Sequence, residues 1–340
     1  MYQVKISLPS HEDNISFNNF IPVKEREGSQ FNFHINTDIE KADFWFVFED
    51  LKKDIEYCKV PKDNVIYLNN ETSFKKDYFF QNYVQLFLNQ FSDTYSCYPS
   101  NHNLQNNTFP FLPWMIHANH GSSIYKKSDY DYDYFSNLEI LKKTKGLSVI
   151  CSNKINTENH SLRFEFLKIV KEYFGENIDW FGSGVNELTS KHKGIFQYKY
   201  HLVLENDSKN NLISEKLFDS YLGLSFPIYY GAPNISEYFN ENSFKTIDIN
   251  NVSESISTIE SVLNGETYEK NINNLIESKS KVLNEFNFVN RIKQIINNKK
   301  TTNLNDVYID SLRSTNFYWE NNTPLKQKIK REVKRKLRLH

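Results

Sequence analysis

Four side chains in two adjacent pairs are the residues of this chain best placed to do chemistry. Glu205 and Asn206 close the apolar run His201–Leu204, and Glu215 and Lys216 follow after the polar loop Asp207–Asn211. A carboxylate accepts hydrogen bonds from hydroxyl groups, an amide both donates and accepts, and an ammonium neutralises a phosphate. A further cation stands out by its type: Arg163 is the sole arginine between Arg26 and Arg291, in a stretch that otherwise answers every demand for positive charge with lysine. A position that uses arginine where lysine would supply the same charge suits bidentate contact with a phosphate. On the residues alone, an incidental surface arginine stays an open alternative.

The elements that must position these groups can be read around them. His201–Leu204 has the length of a strand. Ser214 can cap a helix with Glu215 and Lys216 in its first turn and Leu217, Phe218, Tyr221 and Leu222 on one apolar face, stopped by Gly223. A second run, Phe226–Tyr230, ends at Gly231-Ala232-Pro233. Strand, loop, helix and strand in this order require a parallel sheet, and open parallel sheets bind ligands beyond the carboxyl ends of their strands. Upstream, Leu147–Cys151 reads as a strand ending in Ser152-Asn153, and Ser161 can cap a helix to Phe174 that buries Leu162, Phe166, Ile169, Val170 and Tyr173. That places Arg163 in a first turn, where backbone N–H groups add to its pull on an anion. Further strands are expected at Tyr2–Leu8, Phe44–Phe48 and Asn64–Leu68, and helices at Val252–Leu263 and Tyr268–Ile296.

Taken together, YKYHLVLEN, NNLISEKL, FPIYYGAP and FNENSF resemble the signature of glycosyltransferase family 10, the α-1,3/4-fucosyltransferases. The spacing from Asn206 to Glu215 agrees with that family without insertion. Ser152, Asn153, Arg163, Phe166 and Val170 match its strand-SN and R-x-x-F pattern, and the run Asp179–Gly184 resembles its D-x-F-G turn. The resemblance implies an α/β chain of the GT-B type, two Rossmann-like domains facing across a cleft. It implies an acceptor-binding domain over 1–144, a nucleotide-sugar domain over 145–300 and a C-terminal extension over 301–340. The donor implied is GDP-β-L-fucose, and the acceptor a glycan of the N-acetyllactosamine type or a surface polysaccharide or lipopolysaccharide precursor. Donor-binding roles fall to Ser152, Asn153, Arg163, Asn206, Glu215, Lys216 and Gly231, with Arg163 and Lys216 on the diphosphate and Glu215 on the ribose hydroxyls. Asn69–Ser73 resembles the N-terminal motif whose glutamate is the proposed general base, which makes Glu71 the expected catalytic residue. No cofactor is required by this design, although a divalent metal can stimulate it. Two departures bear on the donor: Leu212 stands where the family has tyrosine, and Ser214 where it has threonine.

Composition sets the outer bounds. With 340 residues, 15% aromatic and 24% charged, the chain can build two packed cores. A formal net charge of −1 gives no global footprint for nucleic acid. Cys58, Cys97 and Cys151 are scattered and form no CxxC, as suits reduced thiols. Asp129, Asp131 and Asp133 form a DxD pattern that could chelate a metal, but they follow Lys126-Lys127 instead of a buried strand and read as solvated loop. His117 and His120 lack a third partner at metal spacing. No apolar run reaches about 18 residues, so the expectation is a cytoplasmic protein. The segment from Pro324 carries eight Lys or Arg against one Glu, with Leu325, Ile329, Val333 and Leu337 at four-residue spacing. Such a helix can lie on an anionic bilayer, giving peripheral contact through 324–340 with the inner membrane face. Two other function classes stay open at this point: a GT-B transferase with another nucleotide-sugar donor, and a non-catalytic nucleotide-sugar or glycan-binding protein.

Overall fold

The computed structural model describes residues 1–9, 17–69, 78–96, 106–107, 114, 116, 128–155, 157–299 and 307–329. The chain divides into two compact units, each built on a parallel sheet.

The first unit comprises Met1–His11, Ser29–Asn107 and Lys299–His340. Its strands are β1 (Tyr2–Ser7), β2 (Phe31–Ile35), β3 (Phe44–Phe48), β4 (Ile55–Pro61), β5 (Val65–Asn69), β6 (Asp93–Ser96) and β7 (Asn106–Asn107). Six of them form one sheet in the order β2-β1-β3-β5-β6-β7, with every neighbouring pair parallel. The continuous apolar runs of β3 and β5 are buried along their whole length, as central strands of a parallel sheet covered on both faces must be. Trp45, Val47 and Tyr67 pack there against Phe87 and Leu88 of the helix Asn82–Leu88.

The second unit comprises Glu12–Gly28 and Thr108–Asn298. Its strands β8 (Lys145–Ile150), β9 (Ile178–Phe181), β10 (Tyr198–Leu204), β11 (Phe226–Tyr230) and β12 (Lys245–Thr246) form a parallel sheet in the order β12-β11-β10-β8-β9. From β8 the chain goes first to one side, to β9, and then across to β10 on the other. The boundary between β8 and β10 is therefore the topological switch point, where a crevice opens at the carboxyl ends of the strands.

Each unit draws on separated segments of the chain, where the expectation over 1–144, 145–300 and 301–340 took continuous ones. Glu12–Gly28 joins the second unit because Arg26 pairs with Asp131 at 2.7 Å and Asn287 donates to the Phe20 carbonyl at 2.7 Å. Phe17 and Phe20 also meet Phe288 edge to face. The C-terminal segment returns to the first unit: β13 (Tyr308–Arg313) pairs antiparallel with β4, and Ser314 Oγ donates to Asp54 at 3.0 Å. Leu312 is fully buried in the first unit's core. Pairings between segments this far apart leave no periodic trace in the sequence.

The helix after β8 spans Glu158–Phe174 and is capped by Thr157, whose hydroxyl accepts from the His160 N–H, so it starts before the expected Ser161. Arg163 thus lies in the second turn. The buried face is Arg163, Phe166, Leu167, Val170 and Phe174, while Leu162, Ile169 and Tyr173 are exposed. Burying the arginine rotates the helix about one residue from the face that apolar periodicity alone would choose. The expected long helix over Tyr268–Ile296 is divided into Thr267–Lys270, Ile272–Asn284 and Phe288–Lys299, the last begun by the Asn287 side chain accepting from the Val289 N–H.

Candidate functional site

The carboxyl end of β8 leads into Ser152 and Asn153, held by the turn after β9. The Asn153 N–H donates to the Ser183 carbonyl and its side-chain amide to the Gly184 carbonyl, both at 3.1 Å. Gly182 and Gly184 have φ of +147° and +73°, and a Cβ on Gly182 would come within 2.3 Å of the Cys151 carbonyl oxygen. Only glycine permits this close packing of turn on strand end.

Arg163 reaches the same edge from its helix. It is 6% exposed, and its Nη1 donates to the Leu204 carbonyl, the last residue of β10, at 3.1 Å. Its Nε is buried with no hydrogen-bond partner. A buried guanidinium with a donor left unpaired is costly unless a ligand completes it.

Immediately after β10, Glu205 is fully buried. One carboxylate oxygen accepts from the Ser214 N–H at 2.8 Å, and the other accepts from the Ser214 hydroxyl at 2.5 Å and lies 3.5 Å from the Lys216 ammonium. Ser214 is also the N-cap of the helix Glu215–Leu222, accepting from the Lys216 N–H. Lys216 Nζ in turn lies 3.1 Å from the Ser214 hydroxyl and 3.3 Å from Glu215. Glu205 therefore faces inward and fixes the start of the helix, whereas the sequence grouped it with the ligand-facing residues. Gly231, after β11, backs onto it: a Cβ there would meet Tyr229 Oη at 2.3 Å and Glu205 Cγ at 2.5 Å.

The charges are coupled. Burial works against ionised Glu215, yet the neighbouring ammonium groups of Lys216 and Lys191 outweigh it and hold this carboxyl at about 2. Burial pushes Glu205 above the usual carboxylate range, with Lys216 pulling the other way. Burial alone would lower Lys216, but Glu215 and Glu205 raise it above the ordinary lysine value. The positive charge of Arg163 is felt at Lys216 as well. Lys191, which carried no sequence signal, lies 3.9 Å from Glu215 and 3.2 Å from Asp219. It tethers the helix Glu215–Leu222 from a separate turn.

Ser152, Asn153, Arg163, Asn206, Glu215, Lys216 and Gly231 thus all lie on the carboxyl edge of β8, β10 and β11 or at the helix beginning there. Asn206 is half-buried beside Glu205. Leu212 is buried, with its carbonyl accepting from Tyr229 Oη at 3.3 Å. His201, inside β10, is a core residue: its Nδ1 lies 2.8 Å from Ser148 Oγ, and burial drives it down to about 3. Asp131 caps the helix Tyr132–Asn137 and pairs with Arg26, while Asp133 accepts from the Val23 N–H at 2.7 Å. Glu71, Cys97, His117, His120 and residues 330–340 lie outside the described residues. Of the basic tail, Leu325 and Ile329 are exposed. Among the described residues no helix is long and apolar enough to cross a membrane.

Residues 140–271 match the model of the C-terminal domain of glycosyltransferase family 10 (fucosyltransferase). The α-(1,3)-fucosyltransferase FucT of Helicobacter pylori is 35% identical over 71 residues, which is 21% of this chain and 15% of that protein. A solved α1,3-fucosyltransferase structure shares the fold at TM-score 0.50 and 18% identity, covering 80% of each chain. Another α1,3-fucosyltransferase structure, with GDP-fucose, has TM-score 0.48 and 16% identity over 80% of this chain and 81% of that one. The matched stretch holds β8 to β12 and every described candidate site residue.

Proposed function

With residues 140–271 a C-terminal domain of glycosyltransferase family 10, we propose that the chain is an inverting glycosyltransferase moving L-fucose from GDP-β-L-fucose to a hydroxyl of a glycan acceptor. The observation that carries this reading is the buried Arg163, with its unpaired Nε, at the switch point where Lys216 also stands. The H. pylori relative, a fucosyltransferase by name, supports the choice of sugar over the shared stretch.

In this mechanism Arg163 and Lys216 bind the diphosphate and stabilise the charge that builds on it as the glycosidic bond breaks. Glu215, ionised because of its two lysine neighbours, accepts from the ribose hydroxyls. Asn206 positions the diphosphate or sugar, while Ser152, Asn153 and Gly231 shape the floor on which it rests. Glu71 takes the proton from the acceptor hydroxyl as that oxygen attacks the anomeric carbon from the opposite face, which converts the β-linked donor to an α-linked product. Cationic side chains serve the leaving group, so no metal is required, and a divalent ion is at most stimulatory. The acceptor is of the N-acetyllactosamine type or a lipopolysaccharide precursor, met by a cytoplasmic enzyme resting on the inner membrane face through 324–340.

Calorimetric titration with GDP beside UDP, followed by turnover with GDP-fucose, GDP-mannose and UDP-sugars, tests the reading. Preference for GDP and transfer from GDP-fucose are expected. Equal affinity for UDP, or turnover with another donor alone, would replace it with a different transferase, and GDP binding without any turnover with a binding protein.

A further inference from the structure

Tyr230 ends β11 and has no part in the reaction steps assigned to its neighbours. It pairs with Leu204, the residue whose carbonyl Arg163 holds, and its own carbonyl accepts from the Glu205 N–H at 2.8 Å. Neighbouring strands lie about 4.8 Å apart, so Tyr230 leaves the sheet directly beside the anchor of Arg163.

The connections of the sheet fix the direction of its side chain. The helix Glu158–Phe174 carries the chain from β8 to β9 and the helix Glu215–Leu222 carries it from β10 to β11, two steps in opposite directions along the order β12-β11-β10-β8-β9. Right-handed crossovers taken in opposite directions put their helices on opposite faces. Tyr229 belongs to the face of Glu215–Leu222: its hydroxyl donates to the Leu212 carbonyl at 3.3 Å and accepts from the Ala232 N–H at 2.9 Å, and Tyr221 of that helix is among the groups acting on it. Successive residues of a strand alternate. Tyr230 therefore takes the other face, the one from which Arg163 comes.

Tyr230 is half-buried, and among the described residues its hydroxyl has no hydrogen-bond partner. Burial pushes this hydroxyl above the usual tyrosine range, Asp207 and Asp248 push the same way, and Arg163 opposes them. It keeps its proton and is available as a donor. Neither aspartate accepts from it. Asp207 accepts from the Ser208 N–H and pairs with Lys209, both at 2.9 Å, and Asp248 accepts from the Asn250 N–H and side-chain amide, also at 2.9 Å. Two donors on one face at neighbouring strand ends are thus unfilled, the Tyr230 hydroxyl and the Arg163 Nε. Phosphate oxygens are strong acceptors and can take both.

We propose that Tyr230 binds the donor substrate: its phenolic hydroxyl donates a hydrogen bond to a diphosphate oxygen of the nucleotide sugar, beside the guanidinium of Arg163. This rests on the transferase reading, to which it adds a neutral donor. A hydroxyl there adds a contact to the diphosphate without adding to the charge that Arg163 and Lys216 already bring together.

The test is Tyr230→Phe in the full chain, which deletes one oxygen and keeps the ring. GDP affinity is read by calorimetry, guanosine binding by saturation-transfer NMR and folding by Tm. Expected is a GDP affinity lowered about tenfold or more, as for loss of a hydrogen bond to a charged group. Guanosine, which lacks the diphosphate, is expected to bind both forms alike, and Tm to stay the same because no protein hydrogen bond is removed. Wild-type GDP affinity in the variant overturns the proposal and leaves the transferase reading standing. A parallel loss of GDP and guanosine affinity also overturns it, since the hydroxyl would then serve the nucleoside. Failure of the unaltered chain to bind GDP removes the transferase reading, and this proposal with it.

Discussion

Arg163 and Lys216 are moored to consecutive residues of one strand end: the guanidinium donates to the Leu204 carbonyl at 3.1 Å, and the ammonium lies 3.5 Å from the Glu205 carboxylate. They come from different helices, yet the end of β10 fixes both. The charge of Arg163 works against that of Lys216, and Glu215 and Glu205 offset it. A diphosphate would add the missing negative charge and a partner for the unpaired Nε of Arg163.

Replacing Arg163 by lysine keeps the charge and removes the fork. The ammonium can still reach one acceptor but cannot hold the Leu204 carbonyl and a phosphate in fixed geometry. GDP affinity is expected to fall by about 2 kcal/mol, roughly 30-fold, with little change in fold. Calorimetry on the variant checks this, and near-normal affinity would count against a phosphate role for the arginine.

Gly231→Ala tests how closely the second βα turn must approach the buried carboxylate. The added methyl meets Tyr229 Oη and Glu205 Cγ inside any tolerable contact distance. Both atoms belong to buried side chains that are already hydrogen-bonded. The variant is expected to lose about 1–3 kcal/mol of stability in urea unfolding. Its GDP affinity should fall too, because displacing Glu205 displaces Ser214 and Lys216 with it.

Acid should act on this site through Glu215. Its folded-state value of about 2 lies below that of an unfolded glutamate, so the ionised form contributes stability that is fully present above about pH 4.5. That contribution is lost as the pH falls from there through about 2. Glu215→Gln should flatten this part of the stability profile measured by denaturant unfolding between pH 5 and pH 2. An unchanged acid limb would show that Lys216 and Lys191 do not hold the carboxyl as described.

Much of the second unit was legible from residues alone because its signals are local. The Ser214 cap, the apolar face of the following helix and the Gly223 stop sit within one short stretch, and β11 occupies its expected residues Phe226–Tyr230. Residue type singles out Arg163 in the sequence, and position at a helix start singles out Glu215 and Lys216. Tertiary structure decided which way charges point and what distant segments join. Glu205 turned inward because both its oxygens find partners on Ser214. Arg163 was buried by rotation of its helix, Lys191 was brought to Glu215 from another turn, and β13 was drawn back to β4. Local periodicity specifies an element and its apolar stripe, whereas the partner of a buried polar group is set by whichever atoms the completed fold leaves within hydrogen-bonding reach. For the same reason the left-handed backbone of Glu49, at φ +59°, has no trace in FVFEDL: its N–H is held by the Leu68 carbonyl and its carbonyl by Tyr67 Oη, partners that meet it only in the folded sheet.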